Sequence, residues 1–207
     1  MYDVRLQYVK SMKLIQTATI LIALTSAVEF SQIERVFGYT IEPKFTRSPV
    51  SLVQSSNLFE EGLKKQEQED YVGAIADYTE FLKTHPEHLE GYSNRGFAKA
   101  MLNKLPDALK DLDRAIALAP ENADAYNARG NVHAMAGNLS ASIRDFNRSI
   151  GCDRNFADAY YNRAISRHGL GDRRGAKADL SKAASLFQKQ KDPGGYQQAQ
   201  EWIDKLR

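Results

Sequence analysis

A spacing of 34 residues recurs along this chain and leaves few folds open to it. Tyr92, Arg95, Gly96, Ala108, Leu112, Ala115 and Pro120 are matched 34 residues later by Tyr126, Arg129, Gly130, Ser142, Phe146, Ser149 and Arg154. A further step gives Tyr160, Arg163, Ala164, Ala176, Leu180 and Ala183, and a step backward gives Leu58, Glu61, Gly62, Ala74, Tyr78, Phe81 and Pro86. A fixed period of this length marks an array of like units that bury their apolar faces on one another. Small residues at Gly96, Ala108 and Ala115 let two antiparallel helices approach closely, with Tyr92 and Leu112 filling the space between. Turns fall near Asn103 to Pro106, Gly137 to Leu139 and Gly171 to Arg173, where Gly or Asn adopts a positive φ. Pro86 and Pro120 end the second helices.

This pattern resembles the tetratricopeptide repeat family, and the resemblance covers about residues 55–190. It implies an all-α fold: a right-handed superhelical solenoid of four helical hairpins, at residues 55–88, 89–122, 123–156 and 157–190. Asp192, Pro193, Gly194 and Gly195 read as a stop before a capping helix at residues 194–207, where Tyr196, Ala199, Trp202, Ile203 and Leu206 keep helical spacing. Such a cap solvates the open end of an array, so Trp202 reads as a packing residue. Strings such as "YSNRG" and "YYNRA" are similar to those of cyanobacterial repeat proteins.

Two rows depart from the family pattern. Arg95, Arg129 and Arg163 stand where Leu is common, and Lys65, Lys99, His133 and Arg167 stand where Tyr is common. An acidic row, Asp77, Asp111, Asp145 and Asp179, has the same period in the second helices. One reading pairs Arg with Asp inside each unit, because a half-buried guanidinium left alone is costly. The other gives the basic row an acidic ligand. Glu61 replaces Arg in unit one, which removes this partner from Asp77.

The resemblance also implies a concave wall made by the first helices, where a protein or peptide partner would dock. The corresponding positions are Phe59 and Leu63, then Ser93, Phe97 and Met101, then Asn127, Asn131 and Met135, then Tyr161, Ile165 and His168. Asn94, Asn127, Asn131 and Asn162 are available to hydrogen-bond a peptide backbone; solvent-facing filler is the other reading of these amides. The expected peptide-binding set is Phe97, Met101, Asn127, Asn131, Met135, Tyr161, Asn162 and Ile165. Some family members clamp the carboxylates of chaperone tails. Asn131 and Asn162 match the two amide positions of that clamp, but Asn127 stands at its first Lys, and no following repeat supplies the other cations.

The amino end has another character. Arg5, Lys10 and Lys13 precede an uncharged run from Leu14 to Val28, as in a signal peptide, with a membrane anchor as the alternative for residues 1–30. Met12 is a second candidate start. Residues 31–54, with Pro43 and Pro49, read as an extended linker. These features point to an exported scaffold (periplasm, thylakoid lumen or cell envelope) or to a membrane-held assembly factor.

With 28 basic and 26 acidic residues, the chain lacks the one-sided charge of a nucleic-acid binder. There is no phosphate loop, nucleophile elbow or paired metal-ligand spacing, so no cofactor is expected. His85 and His88 flank Pro86 at a helix end and read as loop residues, and Cys152 as a small half-buried filler. The expected function is a non-catalytic scaffold for a protein partner.

Overall fold

The computed structural model describes residues 49–206, with side chains from residue 57 onward. The helical array is the unit Ser56–Arg207. The proposed signal or anchor at residues 1–30 lies outside the described residues. Among the described residues, no helix is long and apolar enough to cross a membrane.

Among these residues the helices run α1 (Pro49–Glu67), α2 (Tyr71–Thr84), α3 (Leu89–Met101), α4 (Leu105–Leu118), α5 (Ala123–Met135), α6 (Leu139–Cys152), α7 (Ala157–Gly169), α8 (Arg173–Gln190) and α9 (Pro193–Lys205). The linker reading is corrected at its end, since α1 already begins at Pro49. Proline has a fixed φ suited to a helix start, and its missing N–H has no helical partner there anyway. The stop before the cap is likewise shorter than expected. Asp192 caps α9, its Oδ1 accepting from the Gly195 N–H at 3.0 Å, and Pro193 is already helical.

Four equivalent turns join the helices within the units. Glu69, Asn103, Gly137 and Gly171 carry φ of 59°, 57°, 75° and 84°. The last three fall in the expected turns; Glu69 was hidden because nothing in its residue type announces a left-handed backbone. Asp70, Asn138 and Asp172 then cap the second helices by accepting from Gly73, Ala141 and Gly175.

Inside each unit a large side chain of the second helix faces a minimal one of the first. Tyr78, Leu112, Phe146 and Leu180 are fully buried. A Cβ added to Gly62 would lie 2.6 Å from Tyr78, one on Gly130 2.6 Å from Phe146, and one on Gly96 3.1 Å from Leu112. Ala164 shares a core cluster with Leu180. Tyr92 does not fill the space between its two helices as expected. It is only half-buried, with its ring beneath the guanidinium groups of Arg95 and Arg114 at 5.5 and 5.9 Å.

Neighbouring helices pack in sequence order from α2 to α9, and α5 also meets α3 on one side and α7 on the other. The first helices thus form one continuous wall. α9 closes the far end, with Ala199, Leu206, Trp202 and Ile203 in one apolar cluster with Ala176, Leu180, Ala184 and Tyr161.

Candidate functional site: the wall of first helices

The two charged rows meet in the structure. Arg95 grips Asp111 with Nε at 2.9 Å and Nη2 at 2.7 Å, Arg129 grips Asp145 at 2.9 and 2.7 Å, and Arg163 grips Asp179 at 2.8 and 2.6 Å. These two-pronged bonds match the planar fork of guanidinium to carboxylate. Asp111, Asp145 and Asp179 are each 5% exposed, so their charge needs such a partner. The second basic row joins them. Lys99 Nζ lies 2.7 Å from Asp111, Arg167 Nη1 2.8 Å from Asp179 and His133 Nε2 3.8 Å from Asp145. In unit one, Lys65 takes over the role of the missing arginine, 2.6 Å from Asp77.

Each arginine also reaches backward. Its Nη1 donates to the preceding unit, from Arg95 to Thr79 at 3.2 Å, from Arg129 to Asp113 at 2.7 Å and from Arg163 to Asn147 at 2.7 Å. Its guanidinium also lies over the Tyr three residues earlier, 5.5, 5.7 and 5.4 Å from the rings of Tyr92, Tyr126 and Tyr160. These cations are joints of the array. The alternative in which the arginine row reads an acidic ligand has no free guanidinium to do it.

With the cations engaged inside the array, most of the side chains that line the recess in the wall are apolar or amides. Phe97, Met101, Asn127, Asn131 and Met135 line one cavity of about 500 Å³ between α3 and α5. Ser93 and Asn94 complete its α3 side, Asp124 stands on its α5 side, and Gln66 reaches in from α1. Phe97 is 45%, Met101 47% and Met135 54% exposed, although large apolar side chains ordinarily avoid water. Tyr71 meets Phe97 edge-on, their ring centroids 6.2 Å apart, which steadies one side of the cavity.

The other three expected residues do not line that cavity. Asn162 donates through Nδ2 to Asn127 Oδ1 at 3.1 Å, so these two amides are partly spent on each other. Tyr161 packs into the clusters that α8 and α9 complete, and burial pushes its phenol above the ordinary value. Ile165 is half-buried on α7. His168 meets Trp202 of α9 edge-on at 5.7 Å. Trp202 and Ile203 of α9 share an apolar cluster with Tyr161 of α7, and no sequence spacing announces where a capping helix docks. Sequence reading missed Gln66 and Asp124, which belong to neighbouring turns of the same wall.

Elsewhere the reactive side chains have structural partners. His88 caps α3, its Nδ1 accepting from the Gly91 N–H at 3.0 Å, and His85 stacks on Phe81 at 4.3 Å. Burial and the nearby Glu121 carboxylate push the Cys152 thiol up, away from the thiolate form a nucleophile needs. Among the described residues no three His, Cys, Asp or Glu side chains converge as metal ligands.

Stacked hairpins with a small-against-large register and a shared wall of first helices define an all-α solenoid of tetratricopeptide repeats. A family model described as TPR repeat matches residues 101–137, which hold the turn and second helix of unit two and the first helix of unit three. No curated protein matches the chain. Among solved structures, the MamA protein is 22% identical, with a TM-score of 0.57 over 73% of this chain and 89% of that one. The first TPR domain of Spaghetti (RPAP3), bound to the HSP90 peptide SRMEEVD, is 26% identical, with a TM-score of 0.54 over 56% of this chain and 93% of that one. The TPR2B domain of yeast Sti1, in a complex with pHsp70, is 23% identical, with a TM-score of 0.55 over 57% of this chain and 94% of that one.

Proposed function

We propose that this chain is a non-catalytic scaffold that docks a protein segment in the cavity between α3 and α5. The carrying observation is the convergence of three exposed apolar side chains, Phe97, Met101 and Met135, on one recess edged by amides. Apolar anchors sink into such a recess, while Asn94, Asn127 and Asn131 meet backbone N–H and C=O groups of the segment. The peptide-bound neighbours support docking of a segment as the use of this fold. The acidic tail of one of them does not transfer to this chain, because Asn127 replaces the first clamp cation and the arginines are engaged with Asp111, Asp145 and Asp179.

Panning a randomised peptide library on the full chain, beside the variant Phe97→Ala/Met135→Ala, tests this. Both side chains are about half exposed, so the variant is expected to keep the parent's melting temperature. Peptides with apolar anchors should be retained by the parent and lost by the variant. Equal retention on both would sink the proposal. The basic and then apolar opening of the chain, Arg5 to Val28, supports export of the scaffold. Sequencing the mature amino terminus checks that part, and a terminus at Met1 or Met12 would contradict it.

A further inference from the structure

We propose that the segment taken by this groove is basic, with apolar anchors flanked by Lys or Arg; this rests on the docking function above. Charge is divided unevenly over the surfaces of α3, α5 and α7. Their lysines and arginines are Arg95, Lys99, Arg129, Arg163 and Arg167, and every one is bound to Asp111, Asp145 or Asp179 of the second helices. Their carboxylates are Glu90, Asp124 and Asp158, all exposed and 34 residues apart. Asp124 stands at the cavity itself. Glu90 and Asp158 hold the same register one unit to either side, so the three form a row along the groove.

No lysine or arginine within the described residues forms an ion pair with this row. Its one partner is His88, whose Nδ1 lies 3.6 Å from Glu90 and already accepts the Gly91 N–H. Desolvation at the start of α7 pushes the Asp158 carboxyl up, and the negative charges of Asp192 and Asp124 add to it. Each of the three stands in the first turn of its helix, where the helix N-terminus offsets part of its charge, so a chain of net charge +2 shows beside its apolar recess a row of carboxylates that no lysine or arginine pairs with. An acidic or phosphorylated segment would be repelled there, and a neutral one would leave the row unanswered. A basic segment gains attraction at the rim and apolar burial at the centre.

The same library panned on the full chain decides this, with Glu90→Gln/Asp124→Asn/Asp158→Asn as the second arm. Peptides recovered by the parent should carry Lys or Arg beside their apolar anchors. Their Kd should rise about tenfold on the neutralised variant, and should rise with added salt on the parent. Replacing the peptide's own Lys and Arg by Gln must weaken binding to the parent similarly, a readout independent of how the variant folds. Peptides with neutral or acidic flanks, or affinities indifferent to the neutralised row and to salt, would overturn the basic-segment inference. If those peptides were still lost by Phe97→Ala/Met135→Ala, the docking reading would stand without it. Binding that ignores Phe97 and Met135 would remove both.

Discussion

Arg129 shows how much one side chain does in this array. It forks onto Asp145, reaches back to Asp113 and covers Tyr126, and Asp145 in turn raises its guanidinium pKa. Arg129→Ala strands Asp145, which is 5% exposed, and should cost about 3 kcal/mol in urea unfolding. Arg129→Lys keeps the charge but not the fork, and should recover only part of that loss. The Arg and Asp rows were legible in the sequence because both repeat identically every 34 residues. The backward contacts were not, because Thr79, Asp113 and Asn147 share a position and an ability to accept a hydrogen bond but no residue type. Tyr78 gives a second test. Burial, with Asp77 and Glu60 adding negative charge, pushes its phenol from 10.0 to about 12. The folded state then holds a proton that the unfolded chain releases near pH 10, so this contribution is intact below that pH and is lost as pH rises toward 12. The stability curve should fall by up to about 2 kcal/mol across that window, and Tyr78→Phe should flatten the fall. Lys65, also raised by Asp77, weakens in the same direction and remains in the Tyr78→Phe background.

At the level of helix pairs, the glycines of the first helices differ in what they tolerate. A methyl on Gly130 would meet Phe146 at 2.6 Å, whereas one on Gly96 would meet Leu112 at 3.1 Å. Gly130→Ala should therefore destabilise by about 2 kcal/mol through overpacking. Gly96→Ala should stay within about 1 kcal/mol of the parent, because the better helix propensity of Ala offsets a mild crowding. Thermal melts of the two variants side by side check the contrast; equal losses would contradict it. The fold itself was readable at this level, since a small residue in one helix and a large one in the next recur in all four units. So were five of the candidate site residues, Phe97, Met101, Asn127, Asn131 and Met135, which share the register of α3 and α5. Tyr161 has that register too, but α9 packs with it, and its environment depends on a contact between distant helices that no local pattern encodes.

For the whole molecule, the end of the array matters as much as its repeats. α9 covers Leu180, Ala184 and Ala176 with Ala199, Leu206, Trp202 and Ile203. Ending the chain before Asp192 should cost at least about 3 kcal/mol and produce concentration-dependent association, visible by light scattering. A truncated chain that stays monomeric with an unchanged melt would deny α9 its capping part. The backward reach of the arginines bears on how such a protein can change length. Every joint uses one residue 16 positions after the arginine and another 16 positions before it. Duplicating or deleting a whole block recreates each joint from existing parts, while inserting a single residue between α4 and α5 alters the spacing of Arg129 to Asp113 and leaves that of Arg129 to Asp145 unchanged. In lineages of this chain, growth should therefore proceed in whole-unit steps, with small insertions confined to where no arginine spans them.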